Sequence, residues 1–231
     1  MKTVGIIGGI GPESTIVYYR SILAAYREQR PDGSAPSILI NSIDLTKMLA
    51  LIGKDQLTEV TDYLVEEVNR LARAGADFGL SAANTPHIVF DDVQRQSPIP
   101  LISIVKAACD EAQHLGLKKI GLFGIRPTMQ GRFYPTVFSK AGMTLSLPET
   151  EEQDFIHGIY MNELVNGIVL SKTRERLLII IEQMIDRHSI DGFLLAGTEL
   201  SLILNDDQHN GIPVLNTTLI HVKRVIAELL L

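Results

Sequence analysis

The sequence predicts an α/β fold of two similar lobes, each built on a parallel sheet and related to the other by a pseudo-twofold axis. Two observations favour this architecture. Short continuous apolar segments alternate with longer segments of helical spacing, and this alternating pattern occurs twice along the chain. Because ligands of open parallel sheets bind beyond the carboxyl ends of the strands, two such lobes would enclose a ligand cleft between them.

The apolar segments predict strands, and the amphipathic segments between them predict helices. Continuous apolar strands are typical of parallel sheets that helices cover on both faces. The predicted strands are 4–7, 37–42, 78–82, 101–103, 120–123, 193–196 and 214–215. The predicted helices are 13–30, 56–74, 105–115, 129–141, 155–166 and 173–187.

Three short segments recur in the same order about 115 residues further along the chain. The common composition of buried strands explains the residue types but not the common offset. We therefore predict an internal duplication, with lobe 1 at residues 1–97 plus 213–231 and lobe 2 at residues 98–212. The matching segments are KTVGIIG (2–8) with KKIGLFG (118–124), DFGLSAANT (77–85) with DGFLLAGT (191–198), and IPLI (99–102) with IPVL (212–215).

Composition excludes several classes of protein. The chain has 231 residues, of which 45% are hydrophobic, and a formal net charge of −6. An acidic chain without a basic patch is not typical of nucleic-acid binding, so we expect no nucleic-acid partner. The apolar segments are short and interrupted, and no signal-peptide pattern precedes the first strand, so we expect a cytoplasmic protein with no membrane association.

A glycine-rich turn follows the first predicted strand, with the sequence GGIGPEST at residues 8–15. Its glycines permit close backbone approach, Pro12 suits a first helical turn, and the free N–H groups of a helix start attract an anion. The spacing matches neither the dinucleotide fingerprint nor the P-loop. Two interpretations stay open: an anion site that includes Gly9 and Ile10, or a tight turn with a purely structural role.

Small polar residues follow other predicted strands. Asn84 and Thr85 stand after the third strand and suit either a ligand carboxylate or a helix N-cap. Thr128 follows a strand of the second half and is a candidate hydrogen-bond donor to a ligand. The repeat makes Ala83 and Gly197 equivalent positions, which we expect to face each other across the cleft.

The sequence favours structural roles for its one cysteine and for His221. Cys109 lies in a predicted helix, where free cysteines are usually buried, and a single cysteine excludes an internal disulfide. His221 follows the last strand and fits a structural role better than a catalytic one. The remaining histidines lack metal-ligand spacing, so we expect no metal.

These motifs together resemble those of the aspartate/glutamate racemase superfamily, in its aspartate-racemase branch. The resemblance covers essentially the whole chain, and the family has two α/β lobes with the site between them. The segments that carry it are GIIGG (5–9), EST (13–15), YY (18–19), NSID (41–44), NTPH (84–87), TM (128–129), GTEL (197–200) and NTT (216–218).

The resemblance implies cofactor-free racemisation of an amino acid by two bases. One group removes the α-proton, and a partner on the opposite face returns a proton. In the family these groups are normally thiols, one just before Asn-Thr and one just before Thr-Glu, which are the positions of Ala83 and Gly197 here. Neither residue can carry a proton, so we expect racemisation by this mechanism to be close to absent. Glu199 and His87 are the candidates for a substitute base.

The resemblance also implies a small amino acid or a dicarboxylate as the ligand and a homodimer as the assembly. Lys47 is the candidate for holding a side-chain carboxylate, while Leu164 replaces a second basic residue of the family. The implied substrate-binding residues are Gly9, Ile10, Lys47, Asn84, Thr85, Thr128, Thr198 and Glu199.

Three hypotheses about activity follow from the two replaced positions. The chain is a racemase-family isomerase, a catalytically silent amino-acid-binding or regulatory paralogue, or an isomerase or lyase that uses Glu199 or His87. A racemase substituted at both positions to trap its substrate is a further alternative. Solvent-hydrogen exchange at the α-carbon would separate the catalytic hypotheses from simple binding.

Overall fold

The computed structural model describes residues 2–30 and 32–231, which divide into two units. Unit 1 comprises the described residues up to Ser103 together with His221–Leu231, and unit 2 comprises Ile104–Ile220. Each unit has its own sheet and its own hydrophobic core, and each is described separately below.

The sheet of unit 1 has three parallel strands in the order β2-β1-β3. These are β1 (Thr3–Gly8), β2 (Ser37–Ser42) and β3 (Phe78–Ser81). Gly8 pairs with Ser42, and Ile7 pairs with Ser81, so all three strands end at the same edge. The segments that follow them are therefore brought together at that edge.

Helices cover both faces of this sheet, as the continuous apolar strands predict. Alternate residues of β1 point to opposite faces: Val4 and Ile6 belong to one apolar cluster, and Ile7 belongs to another. The helices are α1 (Pro12–Gln29), α2 (Leu45–Gly53), α3 (Leu57–Arg73) and α4 (Phe90–Gln96), with a 3-10 turn at Thr85–Val89.

The sheet of unit 2 has five strands in the order β5-β4-β6-β8-β7, of which β7 alone is antiparallel to its neighbour. Phe123 pairs with Leu195, which pairs with Asn216, so three parallel strands end together. The strands are β4 (Lys119–Phe123), β5 (Thr144–Ser146), β6 (Gly192–Leu195), β7 (Gln208–His209) and β8 (Ile212–Asn216).

The helices of unit 2 include one that begins earlier than its sequence pattern predicts. Helix α8 starts at Thr150 because Glu149 and Glu152 form a reciprocal capping box, in which each side chain accepts a backbone N–H. The helices are α5 (Ile104–His114), α6 (Arg126–Gln130), α7 (Phe133–Lys140), α8 (Thr150–Asn162), α9 (Ser171–His188), α10 (Leu200–Ile203) and α11 (Thr217–Leu229), whose residues from His221 onward belong to unit 1.

The two sheets share a common order. In unit 1 the first strand lies between the second and third, and in unit 2 β4 lies between β5 and β6 in the same way. In unit 1 an isolated parallel bridge joins Gly79 of β3 to Leu101. In unit 2 the corresponding strand, β6, pairs with β8 on that side. This correspondence supports the predicted duplication, and the predicted α/β class with parallel sheets is confirmed.

Several details differ from the sequence-based expectations. The predicted strand at 101–103 is a single bridge at Leu101, and the predicted helix at 129–141 is the pair α6 and α7. The predicted lobe 2 ends at residue 212, but unit 2 continues to Ile220 and includes all of β8. The chain enters unit 1 again at His221, within α11. Among the described residues, no helix combines the length and hydropathy needed to span a bilayer.

Candidate functional site

The glycine-rich turn of unit 1 is packed tightly against the end of β2. Gly9 has a φ of +78°, and a Cβ there would collide with the Ile43 carbonyl oxygen, so this position requires glycine. The Gly9 N–H donates to the Thr15 hydroxyl at 2.9 Å, and Ile10 is buried in an apolar cluster. These contacts favour the structural interpretation of the turn over an anion site made from the Gly9 amide.

The segment after β3 supplies buried polar side chains at the same edge. Ala82 donates its N–H to the Ile7 carbonyl, and Ala83 packs in the apolar cluster that contains Ile7. Asn84 and Thr85 are buried, being 4% and 6% exposed. Ala83 therefore contributes only a methyl group at this edge, with the amide of Asn84 and the hydroxyl of Thr85 next to it in the chain.

His87 is buried at this edge in its neutral form. Its ring stacks on Phe90 with 4.9 Å between centroids, and its Nδ1 donates to the Asn84 carbonyl oxygen at 3.2 Å. Burial, with a smaller effect of His221, lowers the pKa of His87 to about 3. A histidine with so low a pKa is a weak base, which disfavours His87 as a substitute catalytic base.

His221 lies in the core of unit 1 with both ring nitrogens hydrogen bonded. Its Nε2 donates to the Ile102 carbonyl oxygen at 3.0 Å, so its Nδ1 is unprotonated and accepts from the Tyr18 hydroxyl at 2.7 Å. Burial lowers the pKa of His221 to about 4. This arrangement fits the structural role expected from the sequence.

Lys47 lies on the first turn of α2 beside an aromatic ring. Its ammonium nitrogen is 3.9 Å from the centroid of Tyr63, a cation–π contact that leaves the exposed side chain accessible to solvent. Asp44 caps this helix by accepting the N–H groups of Thr46 and Lys47. Lys47 is thus a positive charge close to the edge where β2 ends.

The edge of unit 2 carries the other predicted residues. Thr128, in α6, is fully buried, and a Cβ at Gly124 would lie 2.9 Å from its methyl carbon. Gly197 and Thr198 follow β6, and Thr198 donates its hydroxyl to Glu199 Oε2 at 2.6 Å. The residues assigned from sequence to the second half are therefore grouped at the carboxyl ends of β4 and β6.

Tyr160 of α8 occupies the space next to Gly197. A Cβ at Gly197 would lie 2.5 Å from Tyr160 Cε2 and 3.1 Å from its hydroxyl oxygen. That hydroxyl donates to Glu199 Oε2, the oxygen that also accepts from Thr198. Burial and the neighbouring Glu199 raise the pKa of Tyr160 well above its ordinary value, so the phenol is protonated at neutral pH.

One face of α8 delivers polar groups that sequence analysis did not identify. Asp154, His157 and Tyr160 are three residues apart, so they lie on the same side of the helix. Asp154 accepts from the Arg126 guanidinium at 2.6 Å, and His157 Nδ1 accepts the Arg126 N–H at 3.4 Å. The i, i+3 spacing was visible in the sequence, but its partners at the strand ends were not.

The predicted residues are divided between the two units. Gly9, Lys47, Ala83, Asn84 and Thr85 belong to unit 1. Thr128, Gly197, Thr198 and Glu199 belong to unit 2, and Leu164 is fully buried in that unit.

Comparison with known proteins identifies the family. The model of the Asp/Glu/hydantoin racemase family matches residues 7–225, which is nearly the whole chain. The chain belongs to this family. It is 23% identical over 237 residues to the broad-specificity amino-acid racemase RacX of Bacillus subtilis (strain 168), covering 98% of each sequence.

Solved structures of the family have the same fold. An aspartate racemase homologue from Pyrococcus horikoshii is 32% identical with a TM-score of 0.85, and a candidate Asp/Glu racemase from Yersinia pestis is 29% identical with a TM-score of 0.90. Both matches cover 100% of each chain. These homologues support a racemase-like function in general terms.

Proposed function

We propose that this chain binds a small amino acid or dicarboxylate and does not invert it by the two-base mechanism of its family. The observation that carries the proposal is the space beside Gly197. Tyr160 fills the volume where an acid–base side chain would project, and Ala83 offers only a methyl group.

The buried polar side chains at the two sheet edges support ligand binding. Asn84 and Thr85 in unit 1, and Thr128 and Thr198 in unit 2, are each no more than 6% exposed although all are polar. Buried amides and hydroxyls are costly unless they are hydrogen bonded, and in a ligand site they fix the orientation of a polar ligand. The amino and carboxylate groups of an amino acid fit such donors and acceptors.

Two-base racemisation needs one ionisable group on each face of the α-carbon. General acid–base groups typically contribute about 100-fold to 10,000-fold each, so the loss of both removes most of the rate. His87 does not replace one of them, because burial lowers its pKa to about 3 and so makes it a weak base. The candidates that remain are Glu199 and its hydrogen-bond partners.

Ligand binding is testable by thermal unfolding in the presence of single enantiomers of aspartate, glutamate and alanine. We expect at least one acidic amino acid to raise the melting temperature, because a ligand that binds the folded state stabilises it. Replacement of Lys47 by glutamine should weaken binding of an acidic amino acid several-fold, and binding of alanine should change little, since Lys47 is assigned to the side-chain carboxylate.

Lys54→Gln is the matched control, since Lys54 follows the same helix and has the same charge. If Lys54→Gln and Lys47→Gln weaken aspartate binding equally, Lys47 has no specific role. If none of the amino acids tested, nor the dicarboxylates succinate and malonate, changes the melting temperature, the proposed function is wrong.

A further inference from the structure

The buried cluster of Tyr160, Glu199 and Thr198 has a chemistry that the ligand-binding role does not use. Tyr160 is 8% exposed, Glu199 is 3% exposed and Thr198 is 4% exposed. Both hydroxyls donate to the same carboxylate oxygen. The carboxylate of Glu199 is therefore the hydrogen-bond acceptor to which the Tyr160 hydroxyl proton can pass.

The position of the Tyr160 hydroxyl corresponds to the side chain that Gly197 lacks. The phenolic oxygen is 3.1 Å from the point where a Cβ at Gly197 would be, within the reach of a side chain at that position. The phenol is held protonated by burial and by Glu199, so it has a proton to give. Unit 2 therefore retains a proton-carrying group beside position 197, supplied by α8 instead of by residue 197.

We propose, on the basis of the proposed function, that the Tyr160–Glu199 pair exchanges the α-hydrogen of the bound amino acid or dicarboxylate on one face only. Ala83 has no proton to supply, so the same group removes the α-hydrogen and returns a proton. The product keeps the configuration of the substrate.

The exchange step is balanced without an oxidant or a reductant. The α-C–H bond breaks, and its electron pair stays on the substrate, delocalised into the adjacent carboxylate. The phenolic oxygen of Tyr160 takes the α-hydrogen as its own proton passes to Glu199, which becomes neutral. The reverse step returns a proton to the same carbon, and in heavy water it returns a deuteron after the pair has exchanged with solvent.

The test is proton NMR of single enantiomers in heavy water, followed by chiral chromatography. The probes are L- and D-aspartate and L- and D-alanine, each at a concentration that raises the melting temperature. We expect the α-hydrogen of a bound enantiomer to be replaced by deuterium with retained configuration. Tyr160→Phe and Glu199→Gln should each slow this replacement by about 100-fold or more, the usual effect of losing an acid–base group.

Tyr134→Phe is the matched control, because Tyr134 is another buried tyrosine of unit 2 that hydrogen bonds to a side chain, Thr217. It should leave the exchange rate unchanged. The proposal is overturned if a bound amino acid shows no exchange, if exchange proceeds with inversion, or if Tyr160→Phe has no effect. Thermal shifts without exchange would refute this inference alone and leave the binding function standing; absence of thermal shifts would refute both.

Discussion

Gly197→Ala is expected to destabilise the protein by about 1–3 kcal/mol, because the added methyl group overlaps a buried ring. The new Cβ would lie 2.5 Å from Tyr160 Cε2, closer than real Cβ contacts, and Tyr160 is only 8% exposed. The free energy of unfolding in urea measures the effect. Gly158→Ala is the control: this glycine lies in α8, a Cβ there meets nothing within 4 Å, and helix propensity predicts stabilisation of up to about 1 kcal/mol.

A double-mutant cycle isolates the contact with Tyr160. In a Tyr160→Ala background the ring is absent, so Gly197→Ala should cost at least about 1 kcal/mol less than in the natural chain. An equal cost in both backgrounds would mean that the strain lies in the backbone at position 197 and not against Tyr160.

The same contact bears on any attempt to rebuild a racemase from this chain. Replacing Ala83 and Gly197 by cysteine would supply the two thiols that the sequence resemblance implies, but the Cβ introduced by Gly197→Cys meets the same ring carbon as that of Gly197→Ala. Tyr160 must therefore move or be shortened before a thiol can occupy that space. The two positions thus differ: Ala83 lacks an ionisable group, and Gly197 also lacks the space for a side chain.

Acidification is expected to destabilise unit 1 through its two buried histidines. The pKa values of His87 and His221 are lowered to about 3 and about 4 by burial, against about 6.5 in an unfolded chain. At pH values between the folded and the unfolded pKa, the unfolded state binds more protons than the folded state. The free energy of unfolding therefore falls as the pH falls below about 6.5. Each histidine should cost about 2 kcal/mol between pH 7 and pH 5.

Urea unfolding at pH 7 and pH 5 measures this effect in matched variants. His221→Gln should reduce the difference in unfolding free energy between the two pH values by about 2 kcal/mol, because one titrating group is lost. His114→Gln, at an exposed position, is the control for a histidine outside the core. A pH dependence that is the same in the natural chain and in His221→Gln would show that His221 does not titrate on unfolding.

The strands were predictable from sequence because buried parallel strands are continuous apolar segments, as in IIG at the end of β1 and FLL in β6. The start of α8 was not predicted, since its first turn is acidic and carries no apolar period. Its capping box uses Glu149 instead of the usual serine or threonine. Strand β5 was missed because it has three residues and none is buried.

The candidate site was predictable in part. Asn84, Thr85 and Thr198 could be assigned because they directly follow strands, where side chains of a parallel sheet reach a ligand. The contact between Tyr160 and position 197 could not be predicted, because the two residues are far apart in sequence. A glycine carries no information about which side chain packs beside it. The glycine-rich turn is compatible with an anion site or with a purely structural turn, and the structure shows how closely Gly8 and Gly9 pack against neighbouring atoms.

The most direct test of the central claim is the chiral composition of single enantiomers after incubation with the protein. L-aspartate, D-aspartate and the corresponding glutamates are incubated separately in buffered water, and the opposite enantiomer is quantified by chiral chromatography against a protein-free control. With no proton-carrying side chain at positions 83 and 197, we expect no opposite enantiomer above that control, even for an amino acid that raises the melting temperature. Steady accumulation of the opposite enantiomer toward an equal mixture would contradict the claim.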